Sequence, residues 1–211
     1  MKKIRILAAL LAVLLLLAGC QQSAEEEEPA PNPVATITMS DGKQMRFVLR
    51  PDMAPNTVAN FIKLANDKYY DGQRFFRVVS GAFIQAGDPH NDGTGDPGYA
   101  IKGEFSANGF KQNTLTHVRG TLSMSRQSGY DTAGSQFFIL HYSYPEYDGK
   151  YAAFGTIQDA DSLAVLDSLA TAPVDGGFHP LTAEVISSIR VETYEVEYEP
   201  VTIDRPENKE K

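Results

Sequence analysis

Polar and apolar residues alternate along much of the chain, and this period-2 pattern is typical of half-buried β-strands. Residues 34–39 alternate in this way, Asp41-Gly42 supplies a hairpin turn, and residues 44–49 continue the alternation. An apolar run at residues 75–88 is also rich in strand formers. The pattern predicts further strands at 121–125, 136–141, 152–157 and 185–193.

Two segments carry apolar residues at helical spacing instead. Ala54-Pro55 predicts the start of a helix that runs to about residue 66, because proline is favoured in the first turn. Residues 160–170 predict a second amphipathic helix. The residues expected to face the core are Val58, Phe61, Ile62 and Ala65 in the first helix and Leu163, Val165, Leu166 and Leu169 in the second.

The run at residues 75–88 places one arginine and one glutamine among apolar residues. Arg77 and Gln85 are eight residues apart, so a continuous strand would put both on one face, unless Ser80-Gly81 interrupts it. A fixed guanidinium and an amide on an apolar surface suit recognition of a neutral peptide group. An ordinary strand pair with a surface arginine explains this segment equally well.

The beginning of the chain has the features of a secretory signal. A short basic start precedes an apolar run at residues 7–18, which is too short to span a bilayer comfortably. Leu17-Ala18-Gly19-Cys20 resembles a bacterial lipobox, whose cysteine is acylated after cleavage. We therefore predict a signal peptide at 1–19 and lipidation at Cys20; the alternative is a free or buried thiol. Cys20 is the only cysteine, which excludes an intrachain disulfide.

Residues 20–33 contain four consecutive glutamates and three prolines, and we predict a solvated, lipidated tether; a partner-binding acidic patch is the alternative. The formal net charge of −8 becomes more negative once the basic signal is removed. This balance argues against nucleic-acid binding and against electrostatic attachment to anionic lipid. Residues 194–211 are expected to form an extension that lies along the surface or frays.

A second motif, Gly-Ser-Gln-Phe-Phe-Ile at 134–139, joins the 75–88 run in resembling the cyclophilins, a family of peptidyl-prolyl cis/trans isomerases. The other segments that carry this resemblance, in the family's order, are 54–61, 70–72, 98–105, 120–124 and 148–155. The resemblance spans about 34–193. It implies a mainly β fold: a closed eight-stranded antiparallel barrel capped by two α-helices.

The resemblance also implies the site. Arg77 would be the catalytic residue, and the substrate-binding residues would be Phe83, Gln85, Ser125, Gln136, Phe138, Tyr147 and Tyr151. No cofactor or metal is expected, and the histidines at 90, 117, 141 and 179 lack metal-ligand spacing. The chain departs from the common family pattern at Ala82-Phe83, where Phe-Met is usual, and at Tyr147 and Tyr151. These departures bear on the pocket's shape and the rate, and not on the reaction type.

These features predict a monomeric isomerase that acts on proline-containing unfolded or exported polypeptides outside the cytoplasm and is held at the membrane by its lipid anchor. The alternative is a slow or inactive cyclophilin-like module that binds proline-containing peptides; an anchored structural or adhesive protein is a third reading. A serine hydrolase is excluded, because Ser135 lacks the nucleophile-elbow pattern.

Overall fold

The computed structural model describes residues 30–205, which hold eight β-strands and two α-helices. The strands are β1 (Val34–Met39), β2 (Gln44–Leu49), β3 (Arg77–Val79), β4 (Phe83–Ala86), β5 (Thr121–Met124), β6 (Phe137–Leu140), β7 (Ala153–Ile157) and β8 (Ile186–Glu192). The helices are α1 (Pro55–Asn66) and α2 (Ala160–Ala170). The predicted signal peptide, Cys20, most of the tether and the end of the C-terminal extension lie outside the described residues.

All eight strands belong to one curled antiparallel sheet, in the order β3-β4-β6-β5-β7-β2-β1-β8. Its edge strands, β3 and β8, are joined just before they begin. Arg74 and Val185 form an isolated antiparallel bridge, and the Gly72 amide donates to the Ile186 carbonyl at 2.9 Å. The predicted mainly β, antiparallel fold with two helices is confirmed. Within residues 30–205, the barrel closes through this short seam and not through a ladder between β3 and β8.

Strands β4 and β6 separate two apolar clusters because their side chains alternate between the two faces of the sheet. Ile84 and Ile139 point into the main core, which fills the inside of the curled sheet. Phe83 and Phe138 point to the other face and form a second cluster with Ala82 and Leu140. The same alternation that builds the core therefore presents an aromatic surface on the outside of the sheet.

Both helices follow the predicted bounds. The predicted inward residues of α1 are all buried, whereas in α2 Leu166 and Leu169 are buried and Leu163 and Val165 are half-buried. Asp159 caps α2 by accepting the Ser162 amide at 2.7 Å. Within residues 30–205, neither helix is long and apolar enough to cross a bilayer.

Helix α1 has no side-chain cap of its own, because Ala54 precedes it. The buried carboxylate of Glu104 takes that role from a distant loop. It accepts the amides of Asn56 and Thr57 at 3.0 and 2.7 Å and the Thr57 hydroxyl at 2.6 Å. A negative charge at a helix N-terminus is favourable both for the orphan amides and for the helix dipole.

The residues that follow β8 run along the surface. Residues 201–205, here called the C-terminal strap, pair with the body of the protein through Ile203, which forms an antiparallel bridge with Ala100. The strap therefore adds a pinned backbone segment beside the loop at residues 88–99.

Candidate active site

The segment that carries Arg77 and Gln85 is a hairpin. Gly81 sits in its turn with a φ of +75°, which favours glycine, and the Ala82 amide donates to the Val79 carbonyl at 2.9 Å. Strands β3 and β4 pair so that Arg77 lies directly opposite Gln85. The interruption considered at Ser80-Gly81 is present, and the continuous strand is not. The two side chains still share a face, because residues opposite each other in an antiparallel pair point the same way.

The Arg77 guanidinium lies over an apolar surface. Its Nη1 donates to Gln85 Oε1 at 3.4 Å, and its central carbon lies 5.1 Å from the centroid of the Phe83 ring. A contact of 3.4 Å is a long hydrogen bond, while the stacking distance is within the range of a cation–π interaction. Arg77 is therefore oriented by an amide on one side and a ring face on the other.

A chain of amides continues behind Gln85. Gln85 Nε2 donates to Ser125 Oγ at 3.2 Å and to Gln136 Oε1 at 3.0 Å. Gln136 Nε2 in turn donates to the carbonyls of Gly93 and Gly95 at 3.1 and 2.9 Å. Gln136 is held by Gln85 at one end of its amide and by two loop carbonyls at the other, so it fixes Gln85 to the loop.

Aromatic rings form the floor and wall of a pocket beside Arg77. Phe138 is 4% exposed, and the rings of Phe83, Tyr147 and Tyr151 lie 5.6, 5.9 and 5.5 Å from it between centroids. The pocket has a volume of about 390 Å³ and is lined by Arg77, Phe83, Gln85, Ser125, Arg126, Phe138, Tyr147 and Tyr151. Of the predicted site residues in the described part of the chain, only Gln136 is absent from this lining.

Arg126 is the pocket residue that the sequence did not predict. Its guanidinium carbon lies 4.7 Å from the Tyr151 ring, 5.1 Å from the Tyr130 ring and 5.3 Å from the Phe105 ring. Its Nε donates to the Lys150 carbonyl at 3.0 Å. Its place directly after Ser125, a predicted site residue, was the available signal. The Arg126 guanidinium therefore packs against Tyr151, which forms part of the aromatic wall of the pocket.

A buried polar array supports the floor from below. The His117 ring stacks 6.1 Å from the Phe138 ring at an interplanar angle of 16°. His117 Nδ1 lies 2.9 Å from Asp148 Oδ1, and Nε2 lies 3.0 Å from Ser123 Oγ. Burial lowers the pKa of His117 below its usual value, against the opposing effect of Asp148. Ser123 is fully buried, so this array supports the floor and does not reach the pocket.

The loop at residues 88–99 brings Asp88, His90 and Asp92 together, with ligand-type atoms within 4.8 Å of one another. The Asp88 carboxylate already accepts the backbone amides of His90 and Asp92 at 2.8 and 3.0 Å. These bonds close a turn, which gives the cluster a structural role at the start of the loop.

A family model described as "Cyclophilin type peptidyl-prolyl cis-trans isomerase/CLD" matches residues 34–195. The chain belongs to the cyclophilin family. A peptidyl-prolyl cis-trans isomerase B of Bacillus subtilis is 48% identical over 119 residues, covering 56% of this chain and 79% of the relative. A Helicobacter pylori peptidyl-prolyl cis-trans isomerase is 41% identical over 145 residues, covering 69% of this chain and 85% of the relative.

Solved cyclophilin structures agree with this assignment. A crystal structure of a Cryptosporidium parvum cyclophilin type peptidyl-prolyl cis-trans isomerase, obtained in the presence of the dipeptide Ala-Pro, aligns with a TM-score of 0.66 and 30% identity. The alignment covers 76% of this chain and 99% of the other. Together with the bacterial relatives, it identifies this cyclophilin as a peptidyl-prolyl cis-trans isomerase.

Proposed function

We propose that this cyclophilin isomerises X-Pro bonds in exported polypeptides and that a lipid on Cys20 tethers it outside the cytoplasm. The isomerase reaction follows from the family. The observation that carries the choice of site is the Arg77 guanidinium, held by Gln85 and Phe83 above an aromatic pocket. The neighbour crystallised with Ala-Pro supports this pocket as a site for proline-containing peptides.

The chemistry requires no bond cleavage. Rotation about an X-Pro bond has a barrier of about 20 kcal/mol, because amide resonance gives the C–N bond partial double-bond character. As the bond twists, the proline nitrogen regains a lone pair. A fixed cation near that nitrogen stabilises the twisted form more than either planar form, and Arg77 is the group in position to do so.

The remaining pocket residues divide into two roles. The rings of Phe83, Phe138, Tyr147 and Tyr151 hold the proline ring and exclude water, which strengthens the electrostatic effect of Arg77. Gln85 holds the peptide backbone and orients Arg77, while Gln136 fixes Gln85. Because no side chain in this scheme transfers a proton, no general acid or base is required.

The proposal of a lipid tether rests on the sequence alone. The lipobox-like Leu17-Ala18-Gly19-Cys20 and the acidic, proline-rich residues 21–33 support an anchored domain separated from the bilayer by a solvated spacer. A diacylglyceryl group supplies two acyl chains, and stable anchoring takes two such signals. An anchored isomerase outside the cytoplasm would meet polypeptides as they emerge from export.

Two measurements on the full-length protein test the proposal. An isomerisation assay with an X-Pro peptide should show catalysis, and membrane fractionation with mass spectrometry should show a cleaved, diacylated Cys20. Catalysis together with an unmodified Cys20 thiol would refute the proposed lipid tether and leave the proposed isomerase activity standing.

A peptide-binding module of low turnover is the second candidate. Ala82 replaces the family's usual first aromatic beside the pocket, and it packs in the cluster that contains Phe83 and Phe138. A smaller residue there changes the packing against Phe83 and Phe138. Micromolar peptide binding without acceleration of isomerisation would favour this candidate.

A further inference from the structure

The C-terminal strap is fixed to the body of the protein at two places. Ala100 and Ile203 exchange two backbone hydrogen bonds, at 3.0 and 2.8 Å. Two residues earlier, the Val201 amide donates to Asn56 Oδ1 at 2.6 Å, and Asn56 Nδ2 donates to the Val201 carbonyl at 3.0 Å. The strap therefore bridges the first turn of α1 and the end of the loop at residues 88–99.

The last described residue of the strap reaches the same loop. Arg205 forms an ion pair with Asp96, and the two side chains are 28% and 25% exposed. Asp96 also accepts the Gly98 amide at 2.7 Å, so its carboxylate is fixed within the loop. Arg205 and Gln136 line one small cavity of about 40 Å³, which shares Ser125 with the pocket.

The loop clamped by the strap supports the Arg77 side chain. The residue before Asp96 is Gly95, whose carbonyl accepts Gln136 Nε2 at 2.9 Å. Gln136 holds Gln85 at 3.0 Å, and Gln85 accepts Arg77 Nη1 at 3.4 Å. We propose that the C-terminal strap orients Arg77 through this chain of contacts and that Arg205 is its positioning residue.

The strap lies beyond the region that the family model matches, which ends at residue 195. Arg205 is therefore not among the residues that the family model matches. The proposal concerns the isomerase site and is independent of where the protein is anchored, so its failure would leave both the reaction and the tether unaffected.

The loop needs such a clamp because residues 88–99 contain no helix or strand. Its beginning is fixed by Asp88, which accepts the amides of His90 and Asp92. Its end is fixed by the strap. Releasing that end lets the Gly95 carbonyl shift, and a displacement of about 1 Å far from the chemistry can cost up to about a hundredfold in rate.

The test compares Arg205→Ala and Arg205→Lys in the full-length protein with Arg190→Ala as a matched control. Arg190 is also a partly exposed arginine in an ion pair, with Asp71, but it lies on β8 away from the pocket. Arg205→Ala should lower kcat about tenfold with KM changed less than about twofold, because orientation of Arg77 matters in the twisted state. Arg205→Lys should restore most of kcat, since it keeps the charge at Asp96.

The variant Asp96→Asn adds a coupling measurement. It keeps an acceptor for the Gly98 amide and removes the charge, so combining it with Arg205→Ala should cost little more than either change alone. Unchanged kcat in Arg205→Ala would overturn the proposal. So would a loss that Arg190→Ala reproduces, or a raised KM at unchanged kcat, which would make Arg205 a substrate contact.

Discussion

Arg77 and Gln85 are cross-strand partners, and the guanidinium of the first lies 3.4 Å from the amide oxygen of the second. Strand register, and not sequence distance, brings them together: the hairpin folds back at Gly81 so that both side chains leave the same face of the sheet. The Arg77 guanidinium lies over the Phe83 ring and places a fixed positive charge beside a pocket walled by aromatic rings.

Arg77→Ala should lower kcat/KM by about a hundredfold, since removing one preorganised electrostatic contact typically costs about 10²–10³. Arg77→Lys should recover only part of the loss, because lysine keeps the charge but lacks the planar fork that Gln85 and Phe83 hold. Arg74→Ala is the control: Arg74 is exposed, lies three residues earlier and is absent from the pocket lining. Near-normal activity in Arg77→Ala would remove its proposed role.

Glu104→Gln should lower the free energy of unfolding by about 1–3 kcal/mol, because the carboxylate accepts three hydrogen bonds at the N-terminus of α1. An amide retains one oxygen acceptor and places an NH₂ group against donors. Urea unfolding measures the change. Asp159→Asn is a useful comparison at α2, because asparagine is itself a good N-cap and should cost much less. Equal losses would show that Glu104 is no more than an ordinary cap.

The strands and helices follow from local pattern in this chain. Strand β2 alternates between exposed and buried residues as its sequence indicates, and α2 begins and ends where its apolar spacing does. The sequence left open whether Ser80-Gly81 interrupts the strand, and it does, because Gly81 adopts the left-handed conformation that a turn requires. Local patterns of this kind carry most of the fold.

The parts of the site that the sequence did not predict depend on tertiary contacts. Arg126 joins the pocket because it stacks on Tyr151 and Phe105, which come from other parts of the chain. Gln136 donates to the carbonyls of Gly93 and Gly95. This orientation depends on the position of the loop, so the motif at residues 134–139 does not predict it. The motifs predict which residues lie near the site, and tertiary packing decides which of them line the pocket.

Cys20→Ala should release the protein from membranes or leave it as an uncleaved precursor. In the proposed tether, the lipobox-like residues 17–20 would provide the anchor, and a diacylated Cys20 would hold the acidic domain at a bilayer. Fractionation followed by mass spectrometry of the intact protein measures both outcomes. Ser23→Ala, three residues after Cys20, is the control and should remain membrane-bound. If the Cys20→Ala variant remained in the membrane fraction in its mature, cleaved form, Cys20 would be excluded as the anchor.

The buried His117 should make the protein less stable in mild acid. Burial lowers the pKa of His117 in the folded state, so below the ordinary value of about 6.5 the unfolded chain binds more protons. The stabilising contribution is fully present above that pH and is lost as the pH falls toward the folded-state value. His117→Gln should therefore lose less stability than the wild type between pH 7.5 and 5.

Urea unfolding at both pH values measures that difference, and the exposed His179 supplies a control in His179→Gln. Each substitution removes one histidine that contacts an aspartate, Asp148 for His117 and Asp175 for His179, so the two variants differ chiefly in the burial of the imidazole. A wild type and a His117→Gln variant with the same pH dependence would mean that His117 binds protons equally in the folded and unfolded states, so that burial does not lower its pKa.

Isomerase activity should be nearly independent of pH between about 6 and 9. Arginine and the glutamine amides do not titrate in this range, and the proposed mechanism transfers no proton. Two groups near the pocket have shifted pKa values, and both shifts lead away from the middle of this range: burial lowers the pKa of His117 and raises the pKa of Tyr147. Measuring kcat/KM for one peptide across the range, with folding checked at each pH, tests this. A tenfold change that follows a single ionisation near pH 7 and disappears in His117→Gln would show that the array beneath Phe138 takes part in the reaction.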